Sequence, residues 1–197
     1  MITAVVLAAG RSERMGRPKM LLPFGRRTLI ETVLAGVLKS RVDEVVVVVG
    51  AYREAIEPVV SKLGLRTVFN EDFDAGMLSS VVRGLSEVPA ATEAVLVVPG
   101  DHPYPPASVI DRLISARERT GKGIVLPLHR GRRGHPVLID LRYRERMTAL
   151  DPSVGLRQLM RDHPDDVLEV PVRTPAVLAD IDRPADYRKA LAARRRR

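Results

Sequence analysis

The 197-residue chain contains no cysteine and no tryptophan, and it has only three phenylalanines and four tyrosines. Without cysteine the protein has no disulfide, no cysteine-ligated metal site and no thiol nucleophile, a composition that fits a reducing compartment. The scarcity of aromatic side chains leaves little surface on which single-stranded bases could stack, so we do not expect a nucleic acid partner.

Long apolar runs are also absent. No apolar segment approaches the roughly 20 residues that a membrane-spanning helix needs, so we expect no membrane partner. The first apolar segment, residues 2–9, has no basic region before it, and we therefore expect no signal peptide. Together with the lack of cysteine, these features predict a cytoplasmic protein.

Positive charge is in excess, with 32 Lys and Arg residues against 24 Asp and Glu residues and a net charge of +8. Half of this excess comes from Arg194 to Arg197, and we interpret residues 194–197 as a basic tail that is frayed and solvated. Part of the remainder lies in two segments, residues 11–19 and 130–133. A basic balance suits phosphate-bearing substrates and nucleic acid equally, and the few aromatic residues favour the former.

Apolar strand patterns alternate with helical periodicity along the chain. We predict strands at residues 2–9, 44–49, 65–69, 94–98, 123–126, 136–139, 167–172 and 177–181, and helices at 28–39, 52–63, 77–88, 106–119, 153–162 and 184–193. The five consecutive valines at 45–49 are typical of a parallel strand covered on both faces, and Pro58 should kink or divide the second helix. This alternation predicts one domain, residues 1–193, with an α/β fold: a three-layer α/β/α sandwich around a mostly parallel, Rossmann-like sheet.

The first strand ends at Gly10 and runs into a short loop that carries four cations between residues 11 and 19. Glycines at positions 10 and 16 allow the main chain to approach a ligand and to adopt positive φ, while backbone N–H groups and cationic side chains face negative charge. The spacing matches neither a Walker A loop nor the dinucleotide-binding Gly-x-Gly-x-x-Gly pattern. The segment therefore predicts a nucleotide enzyme with a different phosphate-binding loop.

Five segments in order along the chain carry a family resemblance: Leu7-Ala8-Ala9-Gly10 through Arg14-Met15-Gly16 and Pro18-Lys19-x-Leu21-Leu22-Pro23; Asn70 with Gly76-Met77-Leu78-Ser79-Ser80-Val81; Gly100-Asp101-His102-Pro103; Leu126-Pro127-Leu128-His129 with Gly134-His135-Pro136-Val137-Leu138; and Asp180-Ile181-Asp182-x-Pro184-x-Asp186. With these segments the chain resembles the molybdenum cofactor cytidylyltransferases, in the superfamily of glycosyltransferase-A-like nucleotidyltransferases. Cytidylyl-transferring members carry Leu-Ala-Ala-Gly at the first segment, whereas guanylyl-transferring members usually carry Leu-Ala-Gly-Gly. The resemblance therefore favours CTP.

The resemblance implies transfer of CMP from CTP to the terminal phosphate of molybdenum-bound molybdopterin, a pterin-type acceptor, with release of pyrophosphate and with Mg²⁺ as cofactor. It also implies a partner protein, a molybdenum hydroxylase or its maturation factor. Catalytic roles are implied for Arg14, Lys19 and Asp101, and metal binding for Asp101 and Asp182. The residues implied to contact the nucleotide or the pterin are Leu7, Ala8, Ala9, Gly10, Ser12, Lys19, Gly76, Ser79, Ser80, Gly100, His102 and His135.

Each of these roles has a structural alternative. Lys19 and Arg14 could be solvated loop cations, and Asp101 could be a turn residue bonded to the backbone. Asp180 competes with Asp182 as the second metal carboxylate, and Asp182 could instead cap the helix that begins at Pro184. The serines could be ordinary helix-start residues, and the histidines could be hydrogen-bonding turn residues.

Two further functions also stay open. One is nucleotidyl transfer to another phosphorylated acceptor, such as a sugar or an isoprenoid precursor. The other is a protein without catalytic activity that binds nucleotides or RNA through the basic loop and the basic tail.

Overall fold

The structure is a computed structural model that describes residues 1–103 and 106–195. The strands are β1 (Ile2–Ala8), β2 (Pro23–Phe24), β3 (Arg27–Thr28), β4 (Glu44–Val49), β5 (Arg66–Phe69), β6 (Ala94–Pro99), β7 (Ile124–His129), β8 (Arg132–Arg133), β9 (Val137–Asp140) and β10 (Val167–Pro171). The helices are α1 (Leu29–Val37), α2 (Arg53–Ser61), α3 (Met77–Leu85), α4 (Ala107–Thr120), α5 (Arg144–Thr148), α6 (Leu156–Asp162) and α7 (Pro184–Arg195). Among the described residues, no helix combines the length and apolar composition that crossing a bilayer requires.

A single large sheet forms the centre of the molecule, with strand order β10-β7-β9-β6-β1-β4-β5 and with β8 paired to the end of β7. Strands β6, β1, β4 and β5 are mutually parallel, and β10 is parallel to β7. Strand β9 runs antiparallel between β6 and β7. The short strands β2 and β3 form a separate hairpin.

Both faces of this sheet are covered by helices. One buried cluster joins α1, α2 and α4 to alternate residues of the strands, including Val45, Val47 and Val49. The opposite cluster joins α3, α5 and α6 to the intervening residues, including Val46 and Val48. The five valines of β4 thus alternate between two cores, which is why the strand is apolar throughout. The predicted three-layer α/β/α sandwich with a mostly parallel sheet is confirmed.

The structure differs from the predicted elements in the second half of the chain. The predicted strand at 177–181 is wrong, because Pro175–Leu178 form a 3₁₀ helix capped by the Thr174 hydroxyl. Its apolar residues fill a small core with α4 instead of a sheet, since Val177 packs with Val109 and Val172. Helix α5 was not predicted from the sequence.

Two other expectations concern single residues. Helix α2 continues through Pro58 from Arg53 to Ser61, so this proline does not divide it. Helix α7 extends into the predicted basic tail, and the guanidinium of Arg194 lies 5.0 Å from the centre of the Phe24 ring. This contact contradicts a frayed, fully solvated side chain at residue 194, while Arg196 and Arg197 lie outside the described residues.

The carboxyl ends of the central strands meet at one edge of the sheet. Ala8 of β1 is paired in register with Val49 of β4, and Leu7 is paired with Pro99 of β6. Gly100 lies so close to β1 that a Cβ atom there would lie 2.6 Å from the Leu7 carbonyl oxygen. The segment after β6, which carries Asp101, therefore begins directly beside the loop that follows β1.

Candidate active site

The loop after β1 folds as two short 3₁₀ helices, Glu13–Met15 and Lys19–Leu21. Ser12 adopts a left-handed conformation with φ 55°, and Gly16 has φ 65°. The positive φ predicted for the glycines is therefore found at Gly16 and at Ser12, but not at Gly10. The Ser12 hydroxyl accepts a hydrogen bond from the Lys19 backbone N–H at 3.2 Å, which links the two ends of the loop.

Two cations of this loop contact two carboxylates from distant parts of the chain. Lys19 Nζ lies 2.7 Å from Asp101 Oδ2 and 3.0 Å from Asp182 Oδ1. Arg14 Nη2 lies 2.8 Å from Asp182 Oδ2. Because an oxygen of Asp101 and an oxygen of Asp182 both contact the same Lys19 nitrogen, the two carboxylates lie close together. We call these four residues the Lys19 cluster, and all four are residues that the sequence singled out.

The charges of the Lys19 cluster are stabilised by one another. Burial disfavours the charged form of Lys19, but attraction to Asp101 and hydrogen bonds to both carboxylates outweigh it, so the pKa of Lys19 is raised. Burial opposes ionisation of Asp182 in the same way, yet Lys19 and then Arg14 lower the pKa of this carboxyl. Lys19 is only 9% exposed, so solvent screens this contact weakly.

The backbone on both sides of Asp182 is held in place by hydrogen bonds to neighbouring residues. The Ile181 N–H donates to the Asp101 carbonyl oxygen at 3.1 Å, which joins the two carboxylate-bearing segments. The Asp186 side chain accepts from the N–H groups of Asp182 and Arg183 at the start of α7. The Asp182 carboxylate is thus bonded to cations and does not act as the helix cap. Asp180 is exposed and lines a different groove.

A pocket of about 320 Å³ lies over the loop, and we call it the phosphate pocket. It is lined by Gly10, Arg11, Ser12, Glu13, Arg14, Lys19, Phe73, Asp74 and Asp182. Arg11 spans it through two hydrogen bonds to Asp74, one of them from Nε to Oδ1 at 2.6 Å, and its guanidinium lies 5.0 Å from the Phe73 ring centre. Sequence reasoning missed Asp74 and Phe73, because neither belongs to a segment with a recognisable chemical pattern.

The serines at the start of α3 are tied to a buried asparagine. Asn70 Nδ2 donates to Ser79 Oγ at 2.9 Å and to Ser80 Oγ at 3.0 Å, and Ser80 is itself buried. Gly76, with φ 97°, begins this helix in a conformation that L side chains rarely adopt. Within the described ranges, no hydrogen bond or ion pair joins Gly76, Ser79 or Ser80 to the Lys19 cluster.

Three predicted contact residues are buried in β1 or directly after it. Leu7 belongs to one buried core and Ala8 to the other, and Ala9 is also buried. Their side chains are packed against apolar neighbours, so any contact with a ligand would involve their backbone. Gly10 is exposed and lines the phosphate pocket.

His102 and His135 are in contact with each other next to the Lys19 cluster. Their ring centres are 5.0 Å apart at an angle of 77°, and His102 Nε2 lies 3.9 Å from Asp101 Oδ1. Burial, followed by the proximity of His102, lowers the pKa of His135 to about 4, and burial also lowers the pKa of His102 despite Asp101. The Nδ1 atoms of both rings are buried and have no hydrogen-bond partner in the described part of the chain.

His135 also lines a second, larger cavity of about 480 Å³. It lies between the first residues of α3 (Met77 and Leu78), the residues before β9 (Gly134 and His135) and α6 (Arg157 and Arg161), and we call it the α6 cleft. No pattern in the sequence singled out Arg157 or Arg161, which are exposed arginines on a short helix.

The carboxyl edge of this parallel sheet holds a cationic, glycine-containing loop opposite two carboxylates, as expected of an α/β enzyme that acts on nucleotides. The family model of the MobA-like NTP transferase domain matches residues 4–167. The chain belongs to this family and is a nucleotidyltransferase.

Two relatives cover most of the chain. It is 31% identical over 193 residues to the molybdenum cofactor cytidylyltransferase of Escherichia coli K12, covering 94% of this chain and 93% of that protein. It is 33% identical over 171 residues to nicotine blue oxidoreductase of Paenarthrobacter nicotinovorans, covering 83% of each. These two relatives differ in activity, since one is named as a cytidylyltransferase and the other as an oxidoreductase.

Solved structures of relatives share the whole fold. The Rv0371c homologue from Mycobacterium sp. strain JC1 has a TM-score of 0.89 at 30% identity, covering 99% of this chain and 97% of that one. Rv0371c of Mycobacterium tuberculosis H37Rv in complex with manganese has a TM-score of 0.84 at 26% identity, covering 98% of each chain.

Proposed function

We propose that this nucleotidyltransferase transfers CMP from CTP to the terminal phosphate of molybdenum-bound molybdopterin and releases pyrophosphate. The observation that carries the proposal is the Lys19 cluster, in which two cations of the phosphate-binding loop meet two carboxylates. The E. coli cytidylyltransferase relative, which matches nearly the whole chain, supports the choice of nucleotide and acceptor. The Leu-Ala-Ala-Gly segment at residues 7–10 supports the same choice of CTP.

In this proposal the triphosphate of CTP occupies the phosphate pocket. Arg14 and Lys19 line this pocket and would bind the phosphate oxygens, together with backbone N–H groups of the loop. Asn70 fixes the start of α3 through Ser79 and Ser80, and this helix would form a side wall of the nucleotide site. The serines would then act by shaping the wall rather than by reaching the reacting phosphate.

The residues of the Lys19 cluster fit a divalent cation. Asp101 and Asp182 converge on a single positively charged nitrogen, and carboxylate oxygens are preferred ligands of Mg²⁺. In residues 1–103 and 106–195 there is no group of three or more His, Cys, Asp or Glu side chains that could hold a metal ion. Such a site needs substrate phosphates and water to complete the coordination, which is the usual pattern for Mg²⁺. The manganese complex of Rv0371c supports a divalent cofactor.

The chemistry requires positioning and charge more than proton transfer. An oxygen of the acceptor phosphate forms a bond to the α-phosphorus of CTP, the bond from this phosphorus to the β-phosphate oxygen breaks, and pyrophosphate leaves. The acceptor phosphate is already largely ionised at neutral pH, since its second pKa is about 6, so it needs no general base. Lys19 and Arg14 stabilise the negative charge that develops on the phosphate oxygens. Asp101 and Asp182 would hold the divalent cation, which would supply further positive charge for the same phosphates.

Two further parts of the proposal concern the setting of the reaction. We propose that the protein acts in the cytoplasm, where a chain without cysteine needs no disulfide. We also propose that a molybdenum hydroxylase or its maturation factor receives the product, because a metal-bearing nucleotide requires a protein to take it up.

The experiment is an acceptor-dependent pyrophosphate assay with purified protein and Mg²⁺. CTP, GTP, ATP and UTP are each combined with molybdenum-bound molybdopterin, a sugar phosphate, an isoprenoid-precursor phosphate or no acceptor. We expect release only with CTP and the pterin. Equal rates with all four nucleotides, or release with another acceptor alone, would refute the assignment. Oxidation of NADH or NADPH by a coloured acceptor, without pyrophosphate release, would instead align this chain with the oxidoreductase relative.

A further inference from the structure

The charged side chains that line the α6 cleft are all positive. Three arginines line it, Arg133, Arg157 and Arg161, and among the described lining residues there is no Asp or Glu. Arg133 is bonded through Nε to Glu169 Oε1 at 2.7 Å, so its charge is balanced by a carboxylate outside the cleft. Arg157 and Arg161 have no ion pair or hydrogen bond to any residue that the structure describes. The cleft therefore presents two uncompensated positive charges.

These two arginines lie on the same face of α6. They are four positions apart, and residues with this spacing are neighbours on a helix surface. Like charges at this spacing repel each other and weaken the helix. An anion between the two guanidinium groups would remove this repulsion, and a planar anionic group could accept hydrogen bonds from both.

The remaining walls of the cleft are apolar. Met77 and Leu78 contribute from α3, Leu126 and Val137 from the sheet, and Met160 from α6 between the two arginines. Thioether side chains adapt to irregular and flat ligand surfaces. A cavity with such walls and two arginines at one side suits a ligand that combines an apolar ring system with a negative group.

The other side of the cleft lies next to the Lys19 cluster. His135 lines the cleft, its ring contacts His102, and His102 directly follows Asp101. A ligand in the cleft would therefore have one end near Asp101 and the other end near α6. Burial, then His102 and to a smaller extent Arg157 lower the pKa of His135 to about 4, so this ring is neutral between the two charged regions at pH 7.

We propose that the α6 cleft binds the body of the acceptor, and that Arg157 and Arg161 bind a second negative group on it, distant from the phosphate that reacts. The ligand class is thus an amphiphilic anion with an apolar or heteroaromatic centre and negative charge at both ends. Only the identification of this ligand as the acceptor rests on the proposed function.

The test compares two dyes with the same aromatic skeleton, 8-anilinonaphthalene-1-sulfonate and the uncharged N-phenyl-1-naphthylamine, by fluorescence titration. We expect the Arg157→Ala/Arg161→Ala variant to bind the sulfonate roughly tenfold more weakly or worse, with less than about a twofold change for the neutral dye. The Arg157→Lys/Arg161→Lys variant, which keeps the charge but loses the guanidinium fork, should lie between it and the wild type.

A matched control removes two exposed arginines outside the cleft, Arg146→Ala/Arg188→Ala, and should bind both dyes as the wild type does. Circular dichroism of each variant checks the fold, and we expect native spectra because all four side chains are exposed. If the cleft variant and the control weaken sulfonate binding equally, or if the neutral dye is lost along with the sulfonate, the inference is overturned.

A second measurement separates this inference from the proposed function. In the transfer assay, the Arg157→Ala/Arg161→Ala variant should show at least a roughly tenfold higher KM for the acceptor, with the KM for CTP and the calorimetric affinity for CTP and Mg²⁺ unchanged. If no acceptor supports transfer but the dye result holds, the cleft remains an amphiphilic-anion site and only its occupant is reassigned. If transfer occurs and the variant leaves the acceptor KM unchanged, the cleft inference fails alone.

Discussion

The Lys19 cluster and the α6 cleft lie on either side of the His102–His135 pair, and they balance charge in opposite ways. In the cluster, each cation has a carboxylate partner within 3.0 Å. In the cleft, Arg157 and Arg161 have no carboxylate partner among the described residues, and burial lowers the pKa of His135, which lines the same cleft.

This difference predicts two modes of ligand binding. A ligand that binds at the Lys19 cluster must replace ion pairs that the protein already makes. Its affinity therefore depends on how strongly each carboxylate is paired with Lys19 or Arg14. A ligand of the α6 cleft meets arginines that are not engaged elsewhere, so its own negative charge determines how tightly it binds. Substitutions in the first region should therefore change chemistry and metal affinity, and substitutions in the second should change affinity for one substrate.

The largest expected effect comes from Asp101→Asn. The side chain keeps its size but loses the charge that attracts Lys19 and would hold a divalent cation, so kcat for pyrophosphate release should fall roughly a thousandfold or more. Asp180→Asn, an exposed carboxylate in another groove, is the matched control and should retain near wild-type rates. A kcat for Asp101→Asn above a tenth of the wild-type value would show that this carboxylate is not part of the catalytic centre.

Lys19→Met tests the exchange between cations directly. Removing the ammonium leaves Asp101 and Asp182 close together without their shared partner, so Mn²⁺ measured by electron paramagnetic resonance without nucleotide should bind roughly tenfold more tightly. Turnover of CTP should fall about a hundredfold, because a phosphate-binding cation is lost. Weaker Mn²⁺ binding in the variant would mean that Lys19 organises the carboxylates instead of competing with the metal.

Among the residues that line the α6 cleft, we expect His135 to contribute most to the pH dependence of the unfolding free energy. Its pKa is about 4 in the folded protein and near 6.5 when unfolded, so the unfolded state binds the proton more readily between these values. The stabilisation is complete above pH 6.5 and is lost as the pH falls towards 4, by about 3 kcal/mol in total.

Urea unfolding at pH 7.5, 6, 5 and 4.5 measures this loss, and His135→Gln supplies the comparison. The variant should lack the part of the pH dependence that comes from this ring, so the difference in unfolding free energy between the two proteins should change with pH. A constant difference across the series would show that His135 is solvated and titrates normally.

The parts of the candidate site that lie at the ends of strands could be predicted from the sequence. The loop after β1 and Asp101 after β6 could be predicted to meet, because the carboxyl ends of parallel strands share one edge of the sheet. Composition and spacing alone, without the family resemblance, did not distinguish Asp180 from Asp182, because the one that reaches Lys19 depends on Asp186 satisfying the N–H groups at the start of α7. That bond is a property of the folded turn and has no local signal.

The errors have a common physical origin. Val177 and Leu178 are apolar because they pack into a small core beside α4, and apolar character alone does not distinguish a strand from a buried 3₁₀ turn. Arg157 and Arg161 resemble any exposed arginines until the fold brings α6 opposite α3. Asp74 likewise gains significance only through its contact with Arg11, a residue 63 positions earlier.

The smallest effect is expected for Arg11→Ala, at the outer side of the phosphate pocket. Its pairing with Asp74 is fully exposed, and exposed ion pairs are screened by salt and contribute little. We expect the KM for CTP to change by less than about fivefold at 50 mM salt, and this change to shrink as salt is raised to about 0.5 M. Asp74→Ala should behave similarly, since either substitution opens the same contact across the pocket. The KM for CTP could instead rise strongly and independently of salt in Arg11→Ala but not in Asp74→Ala. That result would show that Arg11 binds the nucleotide itself, as we propose for Lys19 and Arg14.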